Sequence, residues 1–338
     1  MTSSATTVER FIIPHSAFID AERRIEQCFD FSTAKGEAEG LAVIGESRTG
    51  KTSVLTSFAA RHKPYRTSDG MQVPILFASV PSAPTVKSLA GVMLEALQVQ
   101  DPERGTENER TRRLRTLMRE CGTKMVMIDE FQHFVDQGTH KVMHHVADWL
   151  KRLIDDTRST LVIAGLPSCM AVIDQNPQLA GRFMAPIQMT RFHWQEPRLR
   201  RQFIAILQCF HKQIFKEFDL PDLASEEMAF RIYLATGGLM GYVAKLLRHV
   251  LRNAAGNEPR RPITLRDLHN AHMEAIWSAQ RIPDLPKPFE VRFQLEPTVE
   301  VLDRVSRIGT FTEDTAPPRR HVRQGRRERS LNDILSAK

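Results

Sequence analysis

The sequence predicts an α/β fold: a parallel sheet that carries a phosphate-binding loop, followed by a smaller region built only of helices. Three observations predict it. Gly45-Glu46-Ser47-Arg48-Thr49-Gly50-Lys51-Thr52 reads G-x-x-x-x-G-K-T, set between the apolar run Leu41-Ala42-Val43-Ile44 and a helical stretch from Thr52 to Arg61. A second apolar run, Met125-Val126-Met127-Ile128, ends in the paired carboxylates Asp129-Glu130. From Glu196 onward the spacing of apolar residues is helical, with no further strand pattern.

The strand–loop–helix context separates a phosphate loop from a chance pair of glycines. Gly45 and Gly50 let the chain wrap an anion with its N–H groups turned inward. The following helix adds its positive N-terminal end. The expected nucleotide-binding set is Gly45, Glu46, Ser47, Arg48, Thr49, Gly50, Lys51, Thr52 and Ser53. Within it Lys51 is expected to reach the β- and γ-phosphates of ATP, and the Thr52 hydroxyl to ligate Mg²⁺. A buried strand that ends in Asp-Glu sets both acids at the carboxyl edge of a parallel sheet, where ligands bind. Asp129 is then the second Mg²⁺ residue, and Glu130 the group that polarises the attacking water.

Composition narrows the class. The chain has 338 residues, 41% of them apolar, enough for one large domain or two. It has no apolar run of the roughly eighteen residues a membrane helix needs, and Met1–Thr7 lacks the apolar core of a signal peptide. Cys28, Cys121, Cys169 and Cys209 show no paired spacing, which points to a reducing, cytoplasmic setting without a disulfide framework. Most of the net charge of +7 comes from Pro317–Arg329, where six arginines face Glu328 alone. The basic character therefore belongs to a tail more than to the core.

Taken in order, Phe11-Ile12-Ile13-Pro14 is an extended apolar entry within an N-terminal segment, 1–17. Phe18, Ala21, Ile25 and Phe29 give the next helix one apolar face. That helix is expected to cover the adenine side of the nucleotide or simply to pack. Val73–Val80 reads as a strand, with Pro74 suited to an edge position. Helices follow over Thr85–Gln98 and Thr106–Cys121. The second carries Arg110, Arg112, Arg113, Arg115 and Arg119 on no common stripe, so it reads as solvated. A helix over Thr139–Asp156 places His140 and His144 at i, i+4, but no third metal ligand accompanies them. Strands at Thr160–Gly165 and Met184–Thr190 bring the sheet to five, closing an α/β domain over 18–195. Helices at Pro197–Lys216, Leu223–Thr236, Leu239–Asn253 and Thr264–Gln280 form a lid over 196–280. Residues 281–338 turn proline- and then arginine-rich and read as an arm or tail, with one short helix at Ser330–Ser336.

An α/β nucleotide domain followed by a helical lid is the layout of the AAA+ ATPases. Gly45–Thr52, Asp129-Glu130-Phe131-Gln132-His133 and Ala164-Gly165-Leu166-Pro167, in that order, resemble the TniB/TnsC family of transposition ATPases across about residues 10–280. The resemblance implies an ATP- and Mg²⁺-dependent regulator that binds duplex DNA and oligomerises as a ring or helix. It also implies two protein partners, a DDE transposase and a target-selection protein of the TniQ type.

Arg182, in Gln178-Leu179-Ala180-Gly181-Arg182-Phe183, resembles the arginine finger that reaches a neighbouring subunit's γ-phosphate, or else caps a helix end. Thr85 and Lys87, at the start of a helix, are the candidate DNA contacts. Two positions depart from the superfamily. Gly165-Leu166-Pro167 lacks the usual polar residue after the fourth strand, leaving Ser168 as a substitute. Gly241 stands where relatives carry an arginine, leaving Lys245 one turn on. Both departures imply slow hydrolysis. Three readings follow: an ATPase switch that hydrolysis disassembles, a non-hydrolysing adaptor that ATP orders, and a helicase loader or replication initiator of the same superfamily.

Overall fold

A computed structural model describes residues 15–31, 39–68, 70–255, 262–290, 293 and 296–310. Its sheet is parallel throughout. β1 (Gly40–Gly45) pairs with β6 (Thr160–Gly165) on one side and β7 (Ile187–Met189) on the other. β6 pairs with β5 (Met125–Asp129), and β5 with β4 (Ile75–Ser79), giving the order β4-β5-β6-β1-β7. β4 holds the edge that Pro74 predicts.

Period-two alternation places apolar side chains on both faces of this sheet. Ala42, Ile44, Val126, Ile128, Leu161 and Ile163 enter one apolar cluster. Their neighbours Leu41, Val43, Met125, Met127, Val162 and Ala164 enter the other. The first face is covered by α3 (Val86–Ala96), α4 (Glu107–Glu120) and α6 (His140–Thr157). The second is covered by α1 (Ser16–Phe31), through Phe18, Ala21, Ile25 and Phe29, and by α2 (Lys51–Arg61). The four-residue helix α5 (His133–Asp136) follows Asp129-Glu130 directly. After β6 come a 3₁₀ turn over Pro167–Cys169 and the short helices α7 (Met170–Ile173) and α8 (Pro177–Ala180).

The helical region is α9 (Pro197–Ile214), α10 (Glu226–Thr236), α11 (Met240–Ala255), α12 (Leu265–Ala275) and the short α13 (Trp277–Gln280). A last helix, α14 (Val299–Ser306), belongs to it as well. Leu302, Val305 and Ile308 are buried in the same cluster as Phe203, Tyr233 and Leu246.

Several expectations are corrected. The segment from 281 is not an arm along its whole length, because α14 docks on the helical core. The helix expected to run to Gln280 breaks at Ile276, whose φ is −116° and ψ 76°. An antiparallel pair, β2 (Tyr65–Thr67) and β3 (Gly70–Gln72), escapes sequence reading because its short strands have no apolar alternation. The arginines of α4 are not all solvated. Arg110 is buried and donates to the Lys87 carbonyl at 3.2 Å, and Arg115 pairs with Asp156 at 2.8 Å. Phe11–Pro14 and the tail from 311, including Pro317–Arg329 and Ser330–Ser336, lie outside the described residues.

Candidate nucleotide site

The strand order decides what meets at the site. β6 lies between β1 and β5, so the end of β6 faces the gap between the phosphate loop and Asp129-Glu130. A cleft of about 440 Å³ opens there. Ser47–Ser53 form one wall, Glu130, Gln132 and Leu166 another, and Met240, Gly241, Ala244 and Arg248 of α11 roof it. His15, Phe18 and Phe210 line its apolar end, so Phe18 of the N-terminal helix both packs in the core and borders the cleft.

The loop is braced from within. The Thr49 hydroxyl donates to the Glu46 carbonyl at 2.8 Å. Lys51 Nζ donates to the carbonyls of Gly45 and Glu46 at 2.8 and 2.7 Å. These are neutral acceptors, and a phosphate is a stronger, charged one. Burial pulls the Lys51 ammonium below its ordinary pKa, opposed by Glu130 and Asp129. Burial pushes the Asp129 carboxyl upward, opposed by hydrogen bonds from Thr52 and the Glu130 N–H. The site therefore gathers a cation and an acid that are both short of solvation.

Thr52 Oγ1 donates to Asp129 Oδ2 at 2.6 Å, joining α2 to the end of β5. A hydroxyl and a carboxylate at that junction are oxygen ligands of the kind Mg²⁺ takes, so the residues fit the ion. Asp129 Oδ1 accepts from the Glu130 N–H at 2.8 Å. Glu130 adopts φ 56°, a left-handed conformation costly for a residue with a side chain, and Arg48 in the loop adopts φ 68°. Such backbone outliers cluster where geometry serves function.

Gln132 is the residue whose part sequence reading missed. Its Nε2 donates to Glu130 Oε2, and its Oε1 accepts from the Leu166 N–H at 3.2 Å. It thus supplies a buried polar group at the end of β6, where Ser168 was the expected substitute. Ser168 does not line the cleft. Gly165 explains the G-L-P sequence, since a Cβ there would stand 2.6 Å from Gln132 Oε1.

The lid position is corrected too. Gly241 donates its N–H to the Arg48 carbonyl at 2.9 Å, and a Cβ there would meet Arg48 at 2.8 Å, so no arginine fits. Lys245 does not line the cleft but a neighbouring cavity. Arg248 lines the cleft. Arg248 is one turn beyond Ala244, but Lys245 is one turn beyond Gly241, so helical spacing alone does not choose between them.

Arg191, just after β7, ties the loop to the lid. Buried to 4% exposure, it pairs with Glu46 and donates to the Ser306 carbonyl at 2.7 Å and to that of Gly237 at 3.4 Å. One side chain thereby joins the phosphate loop, the end of α10 and α14. Arg191→Ala strands these buried carbonyls, and the expected loss of stability is about 3 kcal/mol, read by denaturant unfolding. A loss below about 0.5 kcal/mol would show that the clamp contributes nothing.

Arg182 and the candidate DNA contacts lie elsewhere. Arg182 pairs with Asp155 of α6 and is not in the cleft. Thr85 caps α3, accepting from the Ser88 N–H at 3.0 Å, and Lys87 beside it is exposed. Among the described residues no helix is long and apolar enough to cross a membrane.

The parallel sheet, the phosphate loop and the helical lid above it define a P-loop ATPase of the AAA+ class. The chain matches the model of the bacterial TniB protein over residues 5–195, more than half its length, and belongs to that family. No curated protein matches it. Among solved structures it is similar to Cdc6p from Pyrobaculum aerophilum, at TM-score 0.59 and 15% identity, over 81% of this chain and 71% of that one. The Orc2 protein of Aeropyrum pernix, solved in ADPNP–ADP complexes, aligns at TM-score 0.59 and 12% identity, over 82% and 72%. The Aeropyrum pernix Orc1 protein in complex with DNA aligns at TM-score 0.54 and 15% identity, over 78% and 66%. At these identities the likeness is one of fold.

Proposed function

We propose that this protein is an ATP-dependent switch that assembles on duplex DNA and regulates a DDE transposase, with hydrolysis ending the assembled state. The observation that carries the enzymatic half is the chain of contacts from Thr52 through Asp129 and Glu130 to Gln132, set beside the phosphate loop. Membership of the TniB family supports the transposition half.

Each residue then has a task. Lys51 exchanges the Gly45 and Glu46 carbonyls for the β- and γ-phosphates of ATP. Thr52 and Asp129 hold Mg²⁺, which neutralises charge on the phosphate oxygens. Glu130 takes a proton from water as the water oxygen bonds to the γ-phosphorus. The bond to the β–γ bridging oxygen breaks, and ADP leaves with the electron pair. Gln132 holds Glu130 in place and links it to the end of β6. Arg248 approaches the phosphates from the lid. Arg182 leaves Asp155 for a neighbouring subunit's γ-phosphate, so hydrolysis requires assembly. Thr85 and Lys87 face duplex DNA, the transposase and a TniQ-type protein complete the assembly, and the tail from 311 serves as a docking arm.

Electron microscopy of the full chain on duplex DNA, with ATP, with ADP and without nucleotide, tests this reading. Rings or filaments that form with ATP and disperse with ADP are expected. The same monomers on DNA under all three conditions would refute it.

A further inference from the structure

A second concave site lies on the other side of α11, and the nucleotide reading does not use it. It is a cavity of about 330 Å³ between α11, α13 and the turn after α14. Arg48, Lys245, Arg281 and Arg307 line it together with Trp277 and Tyr242, and no carboxylate does among the described lining residues. Arg307 has a surface partner, Asp303, at 2.7 Å, and surface pairs of this kind are weak. Arg48, Lys245 and Arg281 form no ion pair among the described residues. Four cations thus converge on a space the size of one nucleotide.

The aromatic residues say what kind of anion fits. Trp277 is 65% exposed, a large apolar surface to leave in water. Arg281 lies over its ring at 5.1 Å, and Arg48 lies over the Tyr242 ring at 4.6 Å. Ser278 donates to the Tyr242 hydroxyl at 2.8 Å, which fixes the floor. An exposed indole with Arg281 over its ring, beside three further cations, is a platform on which a base stacks while its phosphate meets the cations. A carboxylate peptide would satisfy the charge but leave the indole unused.

We infer that this pocket binds a nucleotide of an unpaired nucleic-acid strand, its base stacked on Trp277 and its phosphate among Arg48, Lys245 and Arg307. A duplex cannot use the indole, since its bases are stacked within the helix and must be extruded to reach a side chain. The site is therefore distinct in substrate from a duplex contact at Thr85 and Lys87. Arg48 gives it a consequence. The same residue lines the ATP cleft and offers its carbonyl to Gly241, so a phosphate that draws its side chain acts directly on the phosphate loop.

The test uses the full-length protein and a labelled thymidine 20-mer, read by fluorescence anisotropy. Trp277→Ala is expected to weaken the single strand about tenfold or more, and Trp277→Phe, which keeps a ring, to retain most of the affinity. Duplex binding should stay within twofold in both. Arg281→Glu, on the rim, should weaken the strand and flatten its salt dependence. In the wild type the strand should shield Trp277 from acrylamide, because Trp149 and Trp194 are buried at 6% and 4% exposure and contribute little quenching. Unchanged affinity in Trp277→Ala, with no shielding, would overturn the inference. So would polyglutamate of equal charge competing as well as the strand, which would make the site an acidic-peptide dock. Thymidine monophosphate binding as tightly as the 20-mer would overturn the polymer assignment.

Discussion

Lys51→Ala is expected to weaken ATP binding by at least about a hundredfold, the largest effect of any single substitution in this protein. The lysine is the proposed partner of the β- and γ-phosphates, and it is only 9% exposed. Bulk water cannot replace it there, and charge-assisted hydrogen bonds in a buried site are worth about twice neutral ones. Its two contacts to the Gly45 and Glu46 carbonyls also hold the loop closed. The alanine variant loses both the phosphate partner and this internal brace. The fold should survive, because Val54, Leu55 and Phe58 anchor α2 in the core independently of residue 51. Isothermal titration with ATP, beside a thermal melt without nucleotide, separates the two effects. A dissociation constant within threefold of wild type would remove Lys51 from the site.

The parts of this molecule that the sequence makes legible are those encoded over short distances. Gly45–Thr52 is a contiguous loop whose backbone geometry follows from its own glycines. Met125–Asp129 is a contiguous strand that ends on one acid and is followed directly by the other, Glu130. The parallel strands β1, β4, β5 and β6 declare themselves as short apolar runs, because both faces of the sheet are covered there, whereas β7 at the edge carries exposed Gln188 between Ile187 and Met189. Thr264 and Thr106 announce their helices by capping boxes with Asp267 and Glu109.

What stayed hidden depends on contacts between residues far apart in the chain. Arg191 and Glu46 are 145 positions apart, and nothing local marks either as half of a clamp. Gln132 was read as part of a family signature, yet its task appears only when β6 brings Leu166 within 3.2 Å. Lys245 is the sequence candidate because it lies one turn beyond Gly241. Positions 241, 244, 245 and 248 share one stripe by spacing, and only the packing in three dimensions sends Arg248 to the cleft and Lys245 to the neighbouring cavity. α14 was assigned to an arm because prolines precede it. Its Leu302 and Val305, with Ile308 just after it, join the cluster of Tyr233 on α10 and Leu246 on α11, more than fifty positions upstream.

Glu130→Gln is expected to leave ATP binding within about threefold of wild type and to reduce hydrolysis by about a hundredfold or more. The substitution is close to isosteric. Glu130 Oε2 now accepts from Gln132 Nε2, and a glutamine at 130 can offer its carbonyl oxygen to the same donor. Asp129 keeps its contacts to Thr52 and to the backbone N–H of residue 130. The φ of 56° at this position penalises glutamine no more than glutamate, so the local backbone should hold. Only the basicity of the group disappears. If hydrolysis is what disperses the DNA-bound state, assemblies of the variant with ATP should outlast those of the wild type under identical salt. Phosphate release and the lifetime of complexes on duplex DNA, measured on the same samples, link the two. If wild type and variant release phosphate at the same rate, Glu130 is not the base. If the variant stops hydrolysing while its complexes decay as fast as before, ATP orders the assembly but its cleavage does not end it, and the adaptor reading replaces the switch.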